Sequence, residues 1–291
     1  MNVAINGLGR IGRAVFKILM ANPEVKVAAI NDVTPPDNLA YLLNHDTVYG
    51  RYANRVTVVD HSLMVADRSY RVITEPDASR LPWGRLKVDL VFECTGRYNR
   101  RLDLAKHLEA GAKRVILSAP PKDDDIPTVV FAVNAYDEKD GPILSCASCT
   151  TNCVAPVVEI MGRRLGMKKA VMNTVHAYTA TQALVDGPHR HMRRGRAGAA
   201  NLVPSTTGAG TATARLACAS RTVSRHSRQG ARPDLFIVRY RYADGAPNLG
   251  RRSQRDLSSG GEERTVCRRR RCDGGPCRLD GHHSRFPRIG H

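Results

Sequence analysis

With 291 residues, 42% of them hydrophobic, the chain is long enough to bury a sizeable core in one large or two ordinary domains. No stretch approaches the roughly 18 consecutive apolar residues of a membrane span. Eight cysteines in a chain of this size fit free thiols rather than a disulfide framework. The net charge of +18 is uneven: residues 1–214 hold 27 Lys and Arg against 20 Asp and Glu, whereas residues 215–291 hold 18 Arg, no Lys and 7 acidic residues. The N-terminus shows no basic segment followed by an apolar one, so no signal peptide and a cytoplasmic location are expected.

Val3-Ala4-Ile5 reads as a short strand that ends in the glycine turn Gly7-Leu8-Gly9-Arg10-Ile11-Gly12. Ile11, Val15, Ile18 and Leu19 then recur at helical spacing, and Pro23 stops the helix. Val25, Val27, Ala28, Ala29 and Ile30 form a second strand, apolar throughout as in a parallel sheet covered on both faces, with Asp32 at its end. Arg55–Asp60 and Leu63–Val72 read as a hairpin excursion. Val88 to Phe92 is a strand, Thr95-Gly96 a turn, Arg101 to Ala110 a helix stopped by Gly111, and Val115–Leu117 and Val129–Val133 are further strands. Val154, Val157, Val158, Met161 and Leu165 predict a helix after Cys149, and Val171–Val175 a strand leading to His176. From Arg215 the periodicity fails, with Leu235–Val238 the one strand-like run and Arg268–Arg271 a block of four like charges; the segment is predicted poorly packed.

The strand–turn–helix–strand unit gives the glycines a mechanism. Gly7 permits the tight turn, Gly9 lets backbone amides approach a pyrophosphate, and Gly12 allows close helix–strand packing. Asp32, 20 residues after Gly12, can accept bonds from ribose hydroxyls and repel a 2′-phosphate, which favours NAD over NADP. A purely structural glycine turn is the bland alternative.

Cys149 directly precedes an apolar-periodic helix, whose N-terminus favours a thiolate. His176, 27 residues on, would lower the thiol pKa further and act as acid and base. The competing readings are a buried structural cysteine, or a metal site with Cys146 and Cys153, whose spacing matches no paired zinc motif. Arg190 to Arg196 and Pro204 to Gly208 bring guanidinium groups, hydroxyls and glycine amides, which suit phosphate oxygens; a solvated basic loop is the plain alternative.

Five segments together carry a resemblance: Asn6–Arg13, Ala147–Cys153, Asn173–Thr179, Arg193–Ala197 and Ser205–Ala209. They resemble phosphorylating glyceraldehyde-3-phosphate dehydrogenases from Met1 to about Ala214. The related erythrose-4-phosphate dehydrogenases share much of the pattern, but His176-Ala177-Tyr178-Thr179 looks more like the glyceraldehyde enzymes. The resemblance implies an α/β fold: a Rossmann doubly wound parallel sheet over 1–148 and a truncated α+β catalytic domain over 149–214. It implies NAD as cofactor, glyceraldehyde 3-phosphate and inorganic phosphate as substrates, no metal, and a homotetramer. Cys149 would form a thiohemiacetal and His176 take its proton. Gly7, Gly9, Arg10, Ile11, Gly12, Asp32, Thr95, Gly96 and Ser118 match cofactor positions. Ser148, Thr150, Thr207 and Gly208 match the inorganic-phosphate site, Thr179 and Thr181 the substrate-phosphate site, and Arg194 a position near both. Pro188 stands where NAD-using members carry proline.

Beyond Ala214 the family pattern breaks. Neither its R-V-P segment, whose arginine binds the substrate phosphate, nor its D-N-E-W-G-Y segment, whose asparagine orients the nicotinamide, is present; Trp83 is the only tryptophan. Reading the codons of Ser224–Gly230 one base forward permits P-D-I-R-G-K, and the same shift at Asp280-Gly281-His282-His283 permits M-G-I-I, both family-like. Shifted, the codons of Arg268–Arg271 all begin with G. A change of reading frame near residue 215 is therefore expected, with residues 215–291 a non-family tail. The rivals are an inactive cofactor-binding fragment and a basic nucleic-acid binder, with Cys267, Cys272, Cys277 and His282 as zinc ligands at a spacing that fits no established pattern.

Overall fold

The computed structural model describes residues 1–165, 170, 172–203, 205 and 207–220. The expected strand at 235–238, the arginine block 268–271 and the cysteine series from Cys267 lie outside the described residues, as do Val171, Pro204 and Thr206.

The elements run β1 (Asn2–Asn6), α1 (Arg10–Met20), β2 (Lys26–Asn31), α2 (Pro36–Asn44), β3 (His45–Asp46), β4 (Gly50–Arg51), β5 (Val56–Val59), β6 (Ser62–Val65), β7 (Arg68–Ile73), β8 (Leu90–Glu93), α3 (Arg101–Glu109), β9 (Arg114–Leu117), β10 (Ile143–Ser145), α4 (Cys149–Leu165) and α5 (Ala209–Ser220). Eight strands make one sheet in the order β10-β9-β8-β1-β2-β7-β6-β5. The first six in that order are parallel neighbours, and β5-β6-β7 is an antiparallel meander on one edge. The expected hairpin excursion is thus part of the main sheet: β7 pairs in parallel with β2 (Ile30 with Val72), and Ala66, at φ +52, splits the expected Leu63–Val72 strand in two.

Burial on both faces explains why β1 and β2 read as continuous apolar runs. Val3, Ala4, Ile5, Ala29 and Ile30 are fully buried, with one cluster built on Phe16, Leu39 and Leu63 and another on Trp83, Val88 and Val91. The face of α1 differs from expectation. Gly12 and Phe16 are its buried residues, Val15 and Leu19 pack beside them, and Ile11 and Ile18 are exposed. Phe16 meets Tyr70 edge-on at 5.2 Å between ring centroids.

Two expected strands do not form. Residues 129–133 make a turn with a single bridge at Thr128–Ser145, and the edge strand is β10 instead. The Asn134 side chain accepts from the Val130 N–H and donates to the Thr128 carbonyl, both at 2.8 Å, so it takes the bonds a ladder would need. Among the described residues of 171–175, only Thr174 makes a bridge. Helix α5 continues past Arg215 to Ser220, further than the sequence pattern implied. It packs against α4 through a small core that includes Val130, Ala155 and Leu216.

Candidate active site and nucleotide cleft

The chemistry-bearing residues gather just beyond the C-terminal ends of the parallel strands, where open α/β sheets bind ligands. Gly7 follows β1, Asp32 follows β2, Thr95 and Gly96 follow β8, Ser118 follows β9 and Cys149 follows β10.

The glycine turn has two kinds of glycine. Gly7 lies at φ +90, and a side chain there would meet the Thr95 backbone at 2.7 Å. A Cβ on Gly12 would stand 1.9 Å from the Gly7 carbonyl oxygen. Both are required by the fold itself. Gly9, the residue capping α1, has nothing within 4 Å of its would-be Cβ and faces a cleft of about 350 Å³. The chain alone gives no reason for glycine there, whereas a ligand approaching the helix N-terminus does. Asp32 lines the same cleft; its carboxylate accepts from the N–H of Leu8 at 2.6 Å and of Thr34 at 2.8 Å. The acid therefore holds the glycine turn as well as facing the cleft. These features fit a dinucleotide: an open backbone approach at the N-terminus of α1, with a carboxylate at the end of the next strand.

The other expected cofactor residues stand around this cleft to different degrees. Thr95 lines it, and Gly96 adopts φ +70 beside it. Ser118 donates its N–H to the Glu93 carbonyl and its side chain bonds Cys94, whose thiol burial pushes up to about 11. Ile11 is half exposed on the first turn of α1. The Arg10 guanidinium pairs with Asp46 and lies over the Tyr49 ring. Burial alone would raise the Asp46 carboxyl, but the N–H groups of Tyr49 and Val48 and the Arg10 pair hold it below the usual range.

Helix α4 begins at Cys149 because Ser148 caps it: the Thr151 N–H donates to Ser148 Oγ at 3.0 Å. The Asn152 amide donates to the carbonyls of Cys146 and Ser148, closing the loop before the helix. Ala147 sits there at φ +61, a left-handed conformation that L residues avoid. Cys149 Sγ lies 3.3 Å from His176 Nε2. His176 Nδ1 lies 2.6 Å from the Ala177 carbonyl, so Nδ1 carries a hydrogen and Nε2 faces the sulfur. Burial would raise the Cys149 thiol, but the hydrogen bond and charge of His176 and the contacts from Thr150 bring it below its ordinary value. The Ala177 carbonyl and then Cys149 raise His176.

The expected phosphate residues fall into separate groups. Ser148 and Thr150 lie at the N-terminus of α4, while Thr207 and Gly208 lie at that of α5, where the Thr207 hydroxyl accepts from the Ala209 N–H. Thr179 and Thr181 share a hydroxyl–hydroxyl bond of 2.9 Å. Arg194, partly buried in a short 3-10 turn, has no side-chain ion pair among the described residues. No hydrogen bond among the described residues joins these groups to Cys149 apart from those of Thr150. Among the described residues, no cluster is arranged for a metal ion and no helix is long and apolar enough to cross a membrane.

Residues 1–101 match the glyceraldehyde 3-phosphate dehydrogenase NAD-binding domain, and residues 148–219 match the C-terminal domain of the same family. The chain is 47% identical to the glyceraldehyde-3-phosphate dehydrogenase of Geobacillus stearothermophilus over 216 residues, 74% of this chain and 64% of that one. It is 46% identical to glyceraldehyde-3-phosphate dehydrogenase 1 of Bacillus subtilis over 72% of this chain and 63% of that one, and to the Thermotoga maritima protein over 73% and 64%. The chain belongs to the glyceraldehyde-3-phosphate dehydrogenase family. It combines that family's Rossmann NAD-binding domain with part of its C-terminal domain. The chain spans less than two thirds of the length of these relatives.

Sequence reasoning missed one group of residues within this family site. Glu93, Asn6 and His107 are buried beneath the cleft and bonded to one another. The available signal was an acid closing an apolar strand, Leu90-Val91-Phe92-Glu93.

Proposed function

We propose that this chain descends from an NAD-dependent enzyme that converts glyceraldehyde 3-phosphate and inorganic phosphate to 1,3-bisphosphoglycerate through a cysteine thioester. The observation that carries this reading is the 3.3 Å approach of Cys149 Sγ to His176 Nε2 at a helix N-terminus. In this reading the Cys149 thiolate attacks the aldehyde carbon, protonated His176 gives its proton to the resulting alkoxide, and His176 then takes that proton back as the C–H hydride leaves and the thioester forms. Bound NAD would supply the hydride acceptor, held by the Gly7–Gly12 turn, Asp32 and the Thr95–Gly96 wall. Phosphate then attacks the thioester carbonyl, and Cys149 leaves as the thiolate. Ser148, Thr150, Thr207 and Gly208 would hold the attacking phosphate; Thr179, Thr181 and Arg194 would hold that of the substrate.

The reading extends to a cytoplasmic homotetramer in central carbon metabolism. It also includes a loss: the chain beyond the family match, which ends at residue 219, stands out of frame, so turnover is impaired. The end of the family match inside the chain and the Lys-free composition beyond it support this. The test is NAD reduction by aldehyde and phosphate at high protein concentration, with Cys149→Ser as blank. Signal above that blank, stronger with glyceraldehyde 3-phosphate than with erythrose 4-phosphate, is expected. NAD binding absent altogether, or a preference for the four-carbon sugar, would defeat the assignment.

A further inference from the structure

A single hydrogen-bonded chain runs under the nucleotide cleft, across the ends of neighbouring strands. Glu93 closes β8, Asn6 closes β1 and Asn31 closes β2. The Asn6 amide donates to Glu93 Oε2 at 2.5 Å, and the Asn31 amide donates to Asn6 Oδ1 at 2.7 Å. Asn31 goes on to bond both the N–H and the carbonyl of Glu75, which lines the far wall of the cleft. The Glu93 side chain is wholly buried, as is that of His107. The Trp83 indole N–H donates to His107 Nδ1 at 3.0 Å. Nδ1 is therefore the acceptor and Nε2 carries the hydrogen, which it gives to Glu93 Oε2 at 3.1 Å.

The second carboxylate oxygen points the other way. Glu93 Oε1 accepts from the Thr95 N–H at 2.7 Å and from the Thr95 hydroxyl at 2.5 Å. Thr95 hydroxyl in turn accepts from the Arg97 N–H, across Gly96. The buried acid thus spends all its acceptor capacity on four donors, two beneath the floor and two on the wall that packs against Gly7. A buried carboxylate costs stability unless it is fully bonded, and this one is bonded in a way that fixes a cleft wall.

We propose that Glu93 is a positioning residue of the nucleotide cleft, presetting the Thr95–Gly96 wall opposite the glycine turn before the cofactor enters. The proposal rests on the NAD-binding reading above. It acts through Thr95 and makes no contact with the cofactor. Glu93→Gln keeps the shape, but replaces one carboxylate oxygen by an N–H group facing two donors. The test uses the full chain, with calorimetry for NAD and NMR for adenosine alone. In this reading adenosine would be held chiefly through Asp32, whereas NAD also needs the glycine turn and the wall beside it. Glu93→Gln should weaken NAD by about tenfold and adenosine by less than about twofold, as expected for losing one charge-assisted bond at one end of the cleft.

Equal loss for both ligands would mean a purely structural role and would overturn the proposal, as would unchanged NAD affinity. A wild-type chain that binds no NAD would overturn the cofactor reading as well. Amide exchange on the unliganded wild-type chain provides an independent check if the variant does not fold. The Thr95 N–H should be protected before NAD is added; fast exchange that slows only with NAD would show that the ligand, rather than Glu93, sets the wall.

Discussion

Cys149 Sγ stands 3.3 Å from His176 Nε2, and each group shifts the other toward its charged form. The raised His176 contributes stability below its unfolded pKa, and this is lost as pH rises through the folded value. The lowered Cys149 contributes above the ordinary thiol value, and this is lost as pH falls through its folded value. Both shifts favour the thiolate–imidazolium form over what the separated groups would populate. At neutral pH, Cys149 should alkylate before Cys94, Cys146 and Cys153; burial raises the first two. In His176→Asn the midpoint of the rate–pH profile should move up toward the ordinary thiol value. Mass-spectrometric mapping that finds another cysteine labelled first would exclude this assignment.

Gly9 and Gly12 should respond oppositely to the same substitution. A methyl on Gly12 would stand 1.9 Å from the Gly7 carbonyl oxygen, so Gly12→Ala should destabilise the fold by about 3 kcal/mol or more through overpacking. A methyl on Gly9 meets nothing within 4 Å, so Gly9→Ala should leave the unfolding midpoint within about 0.5 kcal/mol of wild type. NAD affinity should fall in Gly9→Ala all the same, because the methyl occupies the approach to the N-terminus of α1. Thermal unfolding and NAD titration of the two variants decide the matter; full NAD affinity in Gly9→Ala would move the pyrophosphate elsewhere.

In the proposed reading Asp32 has two duties, and its replacement should show both. Its charge should make NAD bind at least about tenfold better than NADP by opposing a 2′-phosphate. Asp32→Ala should narrow that ratio. It should also lower NAD affinity itself, because the N–H groups of Leu8 and Thr34 lose their acceptor. Calorimetry with both cofactors separates the effects, and equal binding of NAD and NADP by the unmodified chain would rule out the selectivity argument.

What the sequence carried, and what it did not, follows from locality. The β1–α1–β2 unit was legible because glycine spacing, helical period and apolar strands all act within about 30 residues. Cys149 and His176 were legible as a pair through family resemblance, but their 3.3 Å approach depends on a loop that spacing alone does not describe. The Val129–Val133 strand failed because the Asn134 side chain claims the backbone groups a ladder would use, while Ala132 turns at φ +61. An apolar run states a capacity for pairing; whether a neighbour accepts the bonds is a tertiary fact. The Glu93–Asn6–His107 floor left a single local trace, the acid closing an apolar strand, since its members are 87 and 101 residues apart and meet only when β8, β1 and α3 assemble.

Residues 215–291 should separate cofactor binding from turnover. The family match stops at residue 219, and the relatives run on for more than a third of their length beyond what this chain matches. Nucleotide binding draws on residues near the strand ends of the N-terminal domain, so it should survive in this chain. Turnover should fall steeply while staying above the Cys149→Ser blank. The arginine expected to bind the substrate phosphate and the asparagine expected to orient the nicotinamide are absent from the sequence. Correct substrate placement can be worth about 7–11 kcal/mol of a barrier, so losing two positioning groups should cut the rate by at least about a hundredfold. Restoring the alternative reading frame just after the family match should recover turnover while leaving NAD affinity nearly unchanged. The measurement is kcat with glyceraldehyde 3-phosphate for the chain as written and the frame-restored chain, alongside NAD binding for both. Equal kcat values would mean that the Arg-rich segment supplies its own phosphate and nicotinamide contacts, and the frame-change reading would then be wrong.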